Sequence, residues 1–347
     1  DIAQCLVGSE MCIRDRLYNL QKIQEISKHK TCVMIKANAY GHGEREIISI
    51  LNDKVDYFGV SNQSEAFFAR KYTNKDIIVF GACEDYKVCM ANDVSFALFS
   101  LYDAKRIVKI AQKNDLKPKM HLCLNTGMNR YGVKTEKEFD KILSFLKRKN
   151  IPLTGLYTHF SSLTTDRNYT DMQKEKFYRF KKKLPNEWNT LTHVGGGQSI
   201  FENIDADMFR VGLEMYGYGN EFVRPVLRVE SEIVDIQKVS AGEHIGYLCG
   251  YTAKSDMTIA TIPLGYGDGL PRKLSNKLKV KINGKTACNV GNICMDAFMV
   301  DVSDINCKIG DKVVIMDNAS TLAPLIDSTE YEVLTNMTKF RGERKLE

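Results

Sequence analysis

No two cysteines in this chain are spaced as C-x-x-C, and no His/Cys cluster has zinc-ligand spacing, although ten cysteines are present. Cys288 and Cys294 are separated by too many residues for a zinc pattern. No metal site is therefore expected, and cysteines scattered in this way point to a reducing compartment. No apolar run approaches the ~20 residues of a membrane span. The first residues carry acids and lack a long apolar core, so no secretory leader is expected. The expected location is the cytoplasm, without a membrane partner. A large excess of one charge is also missing: the formal net charge is +6 over 347 residues. The longest basic run, Lys181-Lys182-Lys183, falls on a helical stretch. It reads as a solvated helix face, and no nucleic-acid partner is expected. The GxGxxG fingerprint that would follow the first strand of a dinucleotide-binding sheet is absent. There is no low-complexity segment and no repeat beyond the alternation described below.

What remains is an ordinary globular composition, with 44% hydrophobic and 27% charged residues. At ~150 residues per domain the length suggests two domains, or one barrel with an appendage. The first sixteen residues look foreign. Glu10-Met11-Cys12-Ile13-Arg14-Asp15-Arg16 back-translates to GAG ATG TGT ATA AGA GAC AG, which resembles a transposon-end adaptor of a sequencing library read as protein. Residues 1–16 are therefore expected to be non-native, and the fold is read from Leu17 onward.

From Leu17 onward, short β-rich runs alternate with helical patterns. Strands are expected at 31–37, 57–60, 76–81, 95–100, 119–125, 153–159, 191–195 and 208–213. Between them, 43–52, 63–71, 102–114, 136–149 and 171–183 repeat apolar residues at three- and four-residue spacing. Phe139, Ile142, Leu143, Phe145 and Leu146 illustrate the helical period. Strands alternating with helices predict a parallel sheet, and eight of them match a closed barrel of ~200–250 residues. An open doubly wound sheet is the structural alternative. After about Asn220 the pattern changes. Strands are expected at 226–239, 258–263, 279–283, 297–302 and 312–316, with turns at Asn283-Gly284 and Gly310-Asp311. Helical periodicity returns at 331–339. The expected fold is thus α/β, a (β/α)₈ barrel over 17–220 followed by a mainly β domain over 221–347.

The segment Val33-Met34-Ile35-Lys36-Ala37-Asn38-Ala39-Tyr40-Gly41-His42-Gly43 carries the most chemistry. A lysine ends an apolar strand and is followed by small residues and a turn. Barrel active sites lie at that end of the strands. A lysine there is partly desolvated, which lowers its pKa and makes a Schiff base feasible. Taken alone, it would read as a strand end in solvent.

It does not stand alone. From Lys36 to Gly43 the segment resembles the pyridoxal-phosphate lysine motif of alanine racemases, and further motifs follow in that family's order almost to the C-terminus. The resemblance implies a barrel that binds pyridoxal 5′-phosphate (PLP) on Lys36, with Tyr40 beside it. Thr126-Gly127-Met128-Asn129-Arg130-Tyr131-Gly132 resembles the family's T-G-M-x-R-x-G segment and implies that Arg130 bonds the cofactor's phenolic oxygen and helps bind substrate. His159 is implied to pack against the pyridine ring. Arg210, within Met208-Phe209-Arg210-Val211-Gly212-Leu213, is implied to face the pyridine nitrogen. An arginine there keeps that nitrogen unprotonated and limits delocalisation of the carbanion. The backbone N–H groups of Gly212 and Leu213 are implied phosphate donors.

In the second domain, Gly246-Tyr247-Leu248-Cys249-Gly250-Tyr251 resembles the segment around the family's catalytic tyrosine, which maps to Tyr247. His193 is implied to pair with it. Pro263-Leu264-Gly265-Tyr266-Gly267-Asp268-Gly269 and Cys294-Met295-Asp296 are similar to loops near the substrate. They imply that Tyr266 lines the entrance and that Met295 and Asp296 lie near the substrate carboxylate. A homodimer is implied, the β domain of one chain closing the barrel of the other, with Lys36 and Tyr247 as bases on opposite faces of the cofactor. The implied activity is interconversion of L- and D-alanine, supplying D-alanine for peptidoglycan.

Several positions depart from the family pattern. Cys123 stands where many relatives carry a lysine, and Asn125 replaces a common aspartate. Gly195-Gly196-Gly197-Gln198-Ser199 replaces an A-N-S-type segment, leaving Gly197 backbone and the Ser199 hydroxyl as candidate phosphate ligands. Lys339 appears where relatives have tyrosine. Three other readings compete. A PLP decarboxylase of basic amino acids would carry an E-P-G-R segment, which is absent, and Cys294 with Asp296 is a faint echo of its catalytic motif. A PLP carrier protein would resemble the barrel alone. A broad-specificity or serine racemase would share the whole fold.

Overall fold

The computed structural model describes residues 7–11, 13–337 and 343–346. Lys339, singled out above, lies outside the described residues. Strand β1 (Val7–Met11) and helix α1 (Ile13–Ser27) lead into β2 (Lys30–Met34), the short turn α2 (Lys36–Tyr40) and α3 (Glu44–Leu51). Then come β3 (Tyr57–Val60), α4 (Gln63–Arg70), β4 (Asp76–Val79), α5 (Tyr86–Ala91), β5 (Ser95–Leu98) and α6 (Leu101–Asn114). The barrel is completed by β6 (Met120–Cys123), α7 (Glu136–Arg148), β7 (Gly155–His159), α8 (Arg167–Lys181), β8 (Leu191–Gly195) and β9 (Met208–Val211).

Strands β2 to β9 are parallel in sequence order, and β9 pairs with β2 to close the barrel. The expected closed barrel is therefore present, and the open sheet is not. Its strands are buried almost throughout, from Ser95–Leu98 to Met208–Val211, because side chains face either the barrel interior or the helical ring. The helices begin where polar side chains meet free backbone N–H groups. Asn62, Asp85, Ser100 and Asp166 cap α4, α5, α6 and α8, and Thr135 with Glu138 forms a capping box on α7.

The second domain follows as β10 (Leu227–Glu232), β11 (Asp235–Val239), β12 (His244–Ile245), β13 (Tyr251–Thr252), β14 (Met257–Ile262) and β15 (Lys279–Ile282). It continues through β16 (Lys285–Asn289), β17 (Phe298–Asp301), β18 (Lys312–Met316), α9 (Glu330–Asn336) and β19 (Glu343–Leu346). Nine strands form one sheet in the order β11-β14-β17-β16-β15-β18-β10-β1-β19. Alternation of exposed and buried residues along Lys279–Ile282 marks a one-sided, mostly antiparallel sheet. One continuous apolar core joins barrel and sheet, from Leu20 in α1 to Leu334 in α9.

Of the segment read as non-native, residues 7–11 and 13–16 take part in the fold. β1 pairs antiparallel with β10 and parallel with β19. α1 already begins at Ile13, and Arg16 is fully enclosed. The helical face of Asn19, Leu20 and Ile23 extends one turn backward, and Asp15 meets Arg224 at 3.3 Å. Asn19 then fixes the chain leaving the barrel: its side chain accepts from Arg224 N–H at 2.8 Å and donates to Arg224 O at 2.9 Å.

Candidate active site

The expected strand at 31–37 ends at Met34, and the chain then makes a single left-handed turn. Ala37, Asn38, Ala39 and Tyr40 all have φ between 51° and 55°. Such a conformation costs about 1–2 kcal/mol per non-glycine residue, so the surroundings must hold it. They do so at several points. Glu65 Oε1 accepts the Ala37 N–H at 2.8 Å, while its Oε2 accepts the Ser61 N–H at 2.8 Å. Asn38 Oδ1 accepts the Glu44 N–H at 2.8 Å, tying the turn to α3. From the second domain α9 lies against the turn: a Cβ on Gly41 would stand 2.2 Å from Leu334 O. The result aims the first residue of the turn, Lys36, into the barrel mouth.

That mouth contains a cavity of about 280 Å³ lined by Lys36, Tyr40, Arg130, His159, Arg210 and Gly212, among others. Strand register brings the lower wall together. His159 pairs with Gly195, and Gly195 pairs with Arg210, across β7, β8 and β9. The glycine between them is a matter of space: a Cβ there would stand 2.2 Å from Arg210 Nη2 and 2.8 Å from His159 Nδ1. Burial, then the charge of Arg130, holds the Lys36 amine below its usual pKa, against an upward pull from Glu65. Burial, reinforced by Arg210, pushes His159 down to about 3, so its ring is neutral.

Arg210 is 5% exposed and locked. Its Nη1 donates to His193 Nδ1 at 2.7 Å and its Nη2 donates to Thr158 O at 2.7 Å. The guanidinium lies 4.8 Å from the Tyr157 ring centroid and 4.9 Å from that of Phe80. Burial lowers it to about 10, which leaves it charged at neutral pH. Arginine has donors only, so His193 Nδ1 must accept and its proton sits on Nε2. That proton points at His121 Nδ1, 2.8 Å away. His121 must then carry its own proton on Nε2, which is buried with no hydrogen-bond partner. Burial pushes His121 down to about 3 and His193 well below its ordinary value, so both are neutral.

The expectation that His193 pairs with Tyr247 is therefore corrected. Both ring nitrogens of His193 are engaged deep in the barrel, and its role is to position Arg210. Cys123, noted above as a departure from the family pattern, is enclosed, and its thiol donates to Tyr131 O at 3.7 Å.

Two observations bear on a phosphorylated cofactor. Ser199, in the short turn Gly197–Phe201 after β8, is fully enclosed, and its hydroxyl has no partner. Gly212 opens the turn Leu213–Tyr216 and lets the backbone approach Tyr40: a Cβ there would stand 2.7 Å from the Tyr40 hydroxyl. An orphaned hydroxyl and close-lying backbone suit an oxyanion group, so the residues present fit PLP. Among the described residues no His/Cys/Asp/Glu cluster could hold a metal ion.

Tyr247, Tyr266, Met295 and Asp296 do not line the Lys36 cavity. Tyr247 and Tyr266 border a separate groove on the β domain, with Leu248, Arg272 and Asn292. The Tyr266 N–H donates to Cys294 O at 3.1 Å, and the Gly267 N–H donates to Met295 O at 2.9 Å, so these loops form one unit. It is conspicuously open: Tyr247 is 69% exposed, Leu248 85% and Met295 54%. Sequence reasoning missed Glu65, His121, Tyr157 and Tyr331. Only His121, a histidine inside an apolar strand two residues before Cys123, left a signal in the sequence.

A closed barrel with a desolvated lysine at its mouth, joined to a β domain, defines a two-domain barrel class with a lysine-centred site. The particular family follows from comparison. The family model "Alanine racemase, N-terminal domain" matches residues 15–220 and "Alanine racemase, C-terminal domain" matches 226–345, so the chain belongs to the alanine racemase family. It is 33% identical to the alanine racemase of Clostridium kluyveri over 355 residues, covering 94% of this chain and 91% of that one. The solved alanine racemase of Clostridium difficile 630 superposes with a TM-score of 0.91 at 30% identity, covering 98% of this chain and 95% of that one. That of Bartonella henselae, solved with covalently bound pyridoxal phosphate, shares the fold with a TM-score of 0.88 at 23% identity, covering 99% and 100%. The match to both domains removes the barrel-only carrier and the decarboxylase from contention.

Proposed function

We propose that this protein interconverts L- and D-alanine in the cytoplasm, using PLP held on Lys36, as a homodimer with shared sites, and supplies D-alanine for peptidoglycan. The observation that carries the reading is the Lys36 amine. It is desolvated, held below its usual pKa, and set by a strained turn against a cavity walled by His159 and Arg210. No helix of the described residues is long and apolar enough to cross a membrane, and every described cysteine is a free thiol.

When bound, the cofactor supplies an electron-withdrawing ring that acidifies the substrate Cα–H. Tyr40, Gly197, Ser199, Gly212 and Leu213 would hold its phosphate, His159 its ring face and Arg130 its phenolic oxygen. Arg210, fixed by His193 and Thr158, would present a charged donor to the ring nitrogen and would keep that nitrogen unprotonated. Lys36 takes or returns the Cα proton on one face. Tyr247 of the partner subunit does so on the other, because Tyr247 of the same chain faces a different groove. Tyr266, Met295 and Asp296 form the same exposed unit and would complete the substrate entrance. Arg130 serves the substrate carboxylate as well.

Exchange of the Cα hydrogen of L- and D-alanine with deuterated solvent tests the assignment. Lys36→Ala and Tyr247→Phe are each expected to lose exchange mainly from one enantiomer, Lys36→Ala from D-alanine and Tyr247→Phe from L-alanine. Equal residual exchange from both enantiomers in both variants would remove the two-base reading.

A further inference from the structure

Glu214 has no task in the chemistry above, yet it stands directly after Gly212 and Leu213. Its side chain is 2% exposed, and Oε2 is enclosed without a hydrogen-bond partner. The backbone N–H groups of Gly212 and of Glu214 itself face the carboxyl. The titratable groups that feel its charge are the phenols of Tyr40 in α2 and Tyr331 in α9, both raised by burial first and by Glu214 in addition. Both phenols also line the Lys36 cavity. On the remaining side lies Gly219, where an added Cβ would stand 3.2 Å from Glu214 Oε1 and 3.5 Å from Gln198 Nε2. Among the described residues no basic side chain forms an ion pair with Glu214.

A carboxylate enclosed here would repel a phosphate dianion, and nothing nearby neutralises it. The neutral acid does the reverse, because its O–H is a donor. We propose that Glu214 is a proton-dependent ligand of the cofactor phosphate: the neutral acid donates its O–H to a phosphate oxygen, and the anion repels the group. The proposal rests on the cofactor reading above. Burial raises Glu214 to about 7, so the acid and its anion are both populated near neutral pH. Binding at higher pH takes one proton from solvent onto the carboxyl, and the dianionic ligand releases none. Affinity must then fall as pH rises, by about tenfold per unit once Glu214 is mainly ionised.

Pyridoxine 5′-phosphate is a suitable probe, since its alcohol cannot react with Lys36. Its dissociation constant is measured by equilibrium dialysis from pH 6 to 8.5 on the apoprotein and on Glu214→Gln. The two proteins are expected to agree within about threefold at pH 6. At pH 8.5 the unaltered protein should bind about 30-fold more weakly than the variant, the factor that a pKa of about 7 implies. Glu214→Met, which lacks a donor, should lose the same pH dependence and bind more weakly than Glu214→Gln at every pH. Thermal midpoints of both variants show that they fold. Pyridoxine without phosphate should show no difference between the proteins. Parallel pH curves for the unaltered protein and Glu214→Gln overturn the proposal, as does an equal effect on pyridoxine. If neither pyridoxine 5′-phosphate nor PLP binds the unaltered protein at any pH, the cofactor reading falls, and this inference with it.

Discussion

Gly155→Ala would place a methyl group in the path of a buried hydrogen bond. Gly155 lies on β7 beside His121 on β6, and a Cβ at that position would stand 2.0 Å from His121 Nδ1. β7 is paired on both sides inside a closed barrel, so the backbone has little room to yield. His121 must therefore rotate away from His193, breaking their 2.8 Å contact. Crowding of this kind costs about 1–3 kcal/mol. The stranded His193 Nε2–H, fully enclosed, adds about 1–3 kcal/mol. The two costs overlap, so about 2–5 kcal/mol is expected. For a domain of this size that lowers the thermal midpoint by about 5–15 °C. Near-UV circular dichroism of the apoprotein during a thermal scan reads the loss. The double variant Gly155→Ala/His121→Ala separates the causes, because the space left by the imidazole accepts the methyl. The pair should be less destabilised than the sum of the singles by about 1.5 kcal/mol or more. If Gly155→Ala costs under about 0.5 kcal/mol, or the two changes simply add, the inferred chain from Arg210 through His193 to His121 is wrong.

Glu44→Gln tests a buried acid at the start of α3. Glu44 is 4% exposed with Oε1 unpartnered, and burial raises it from 4.5 to about 8. Its stabilising neutral form is fully present below about pH 4.5 and is lost as pH rises through about 8. The variant should match the parent near pH 5 and exceed it by about 2–5 kcal/mol near pH 8.5 in urea unfolding. Glu65→Gln removes the charge that supports the left-handed turn and should destabilise by about 1.5–3 kcal/mol, since bonds to a charged acceptor are lost. Glu65 also raises Lys36, so the variant's Lys36 should react with an amine-specific acylating reagent at lower pH than in the parent. An unchanged profile would mean that Glu65 does not act on the amine.

Where side-chain period and local chemistry decide the outcome, the sequence was legible. The strands at 57–60, 191–195 and 312–316 run as the pattern of apolar residues predicts. The expected run at 226–239 proved to be two strands, β10 and β11, because at Ile233 and Val234 the chain changes neighbours, from β18 to β14. Strand β16 was missed, since Lys285–Asn289 offers a single apolar residue, Ala287, to the buried face, with Cys288 exposed beside it. The left-handed turn was hidden for a different reason. Ala37, Asn38 and Ala39 are unremarkable for a right-handed helix, and what turns them is a carboxylate from α4. His193 was assigned the wrong partner because strand register, which sequence spacing does not display, decides which side chains share a level of the barrel.

The charges at the barrel mouth account for several features at once. Lys36, Arg130 and Arg210 converge on one cavity, while His159 in its wall and His193 and His121 behind it are held neutral. Had the histidines been charged, the site would carry more positive charge than burial allows. Neutral, His193 and His121 accept and pass on hydrogen bonds and leave Arg210 as the fixed cation of the barrel floor. That cation and Arg130 both push the Lys36 amine downward, so the charges that would draw an anionic ligand into the cavity also prepare the lysine to react. Glu65 limits the effect from outside the cavity while holding the turn. Attraction of anions and activation of the amine thus come from the same arrangement, and a change that neutralises Arg130 or Arg210 must weaken both together.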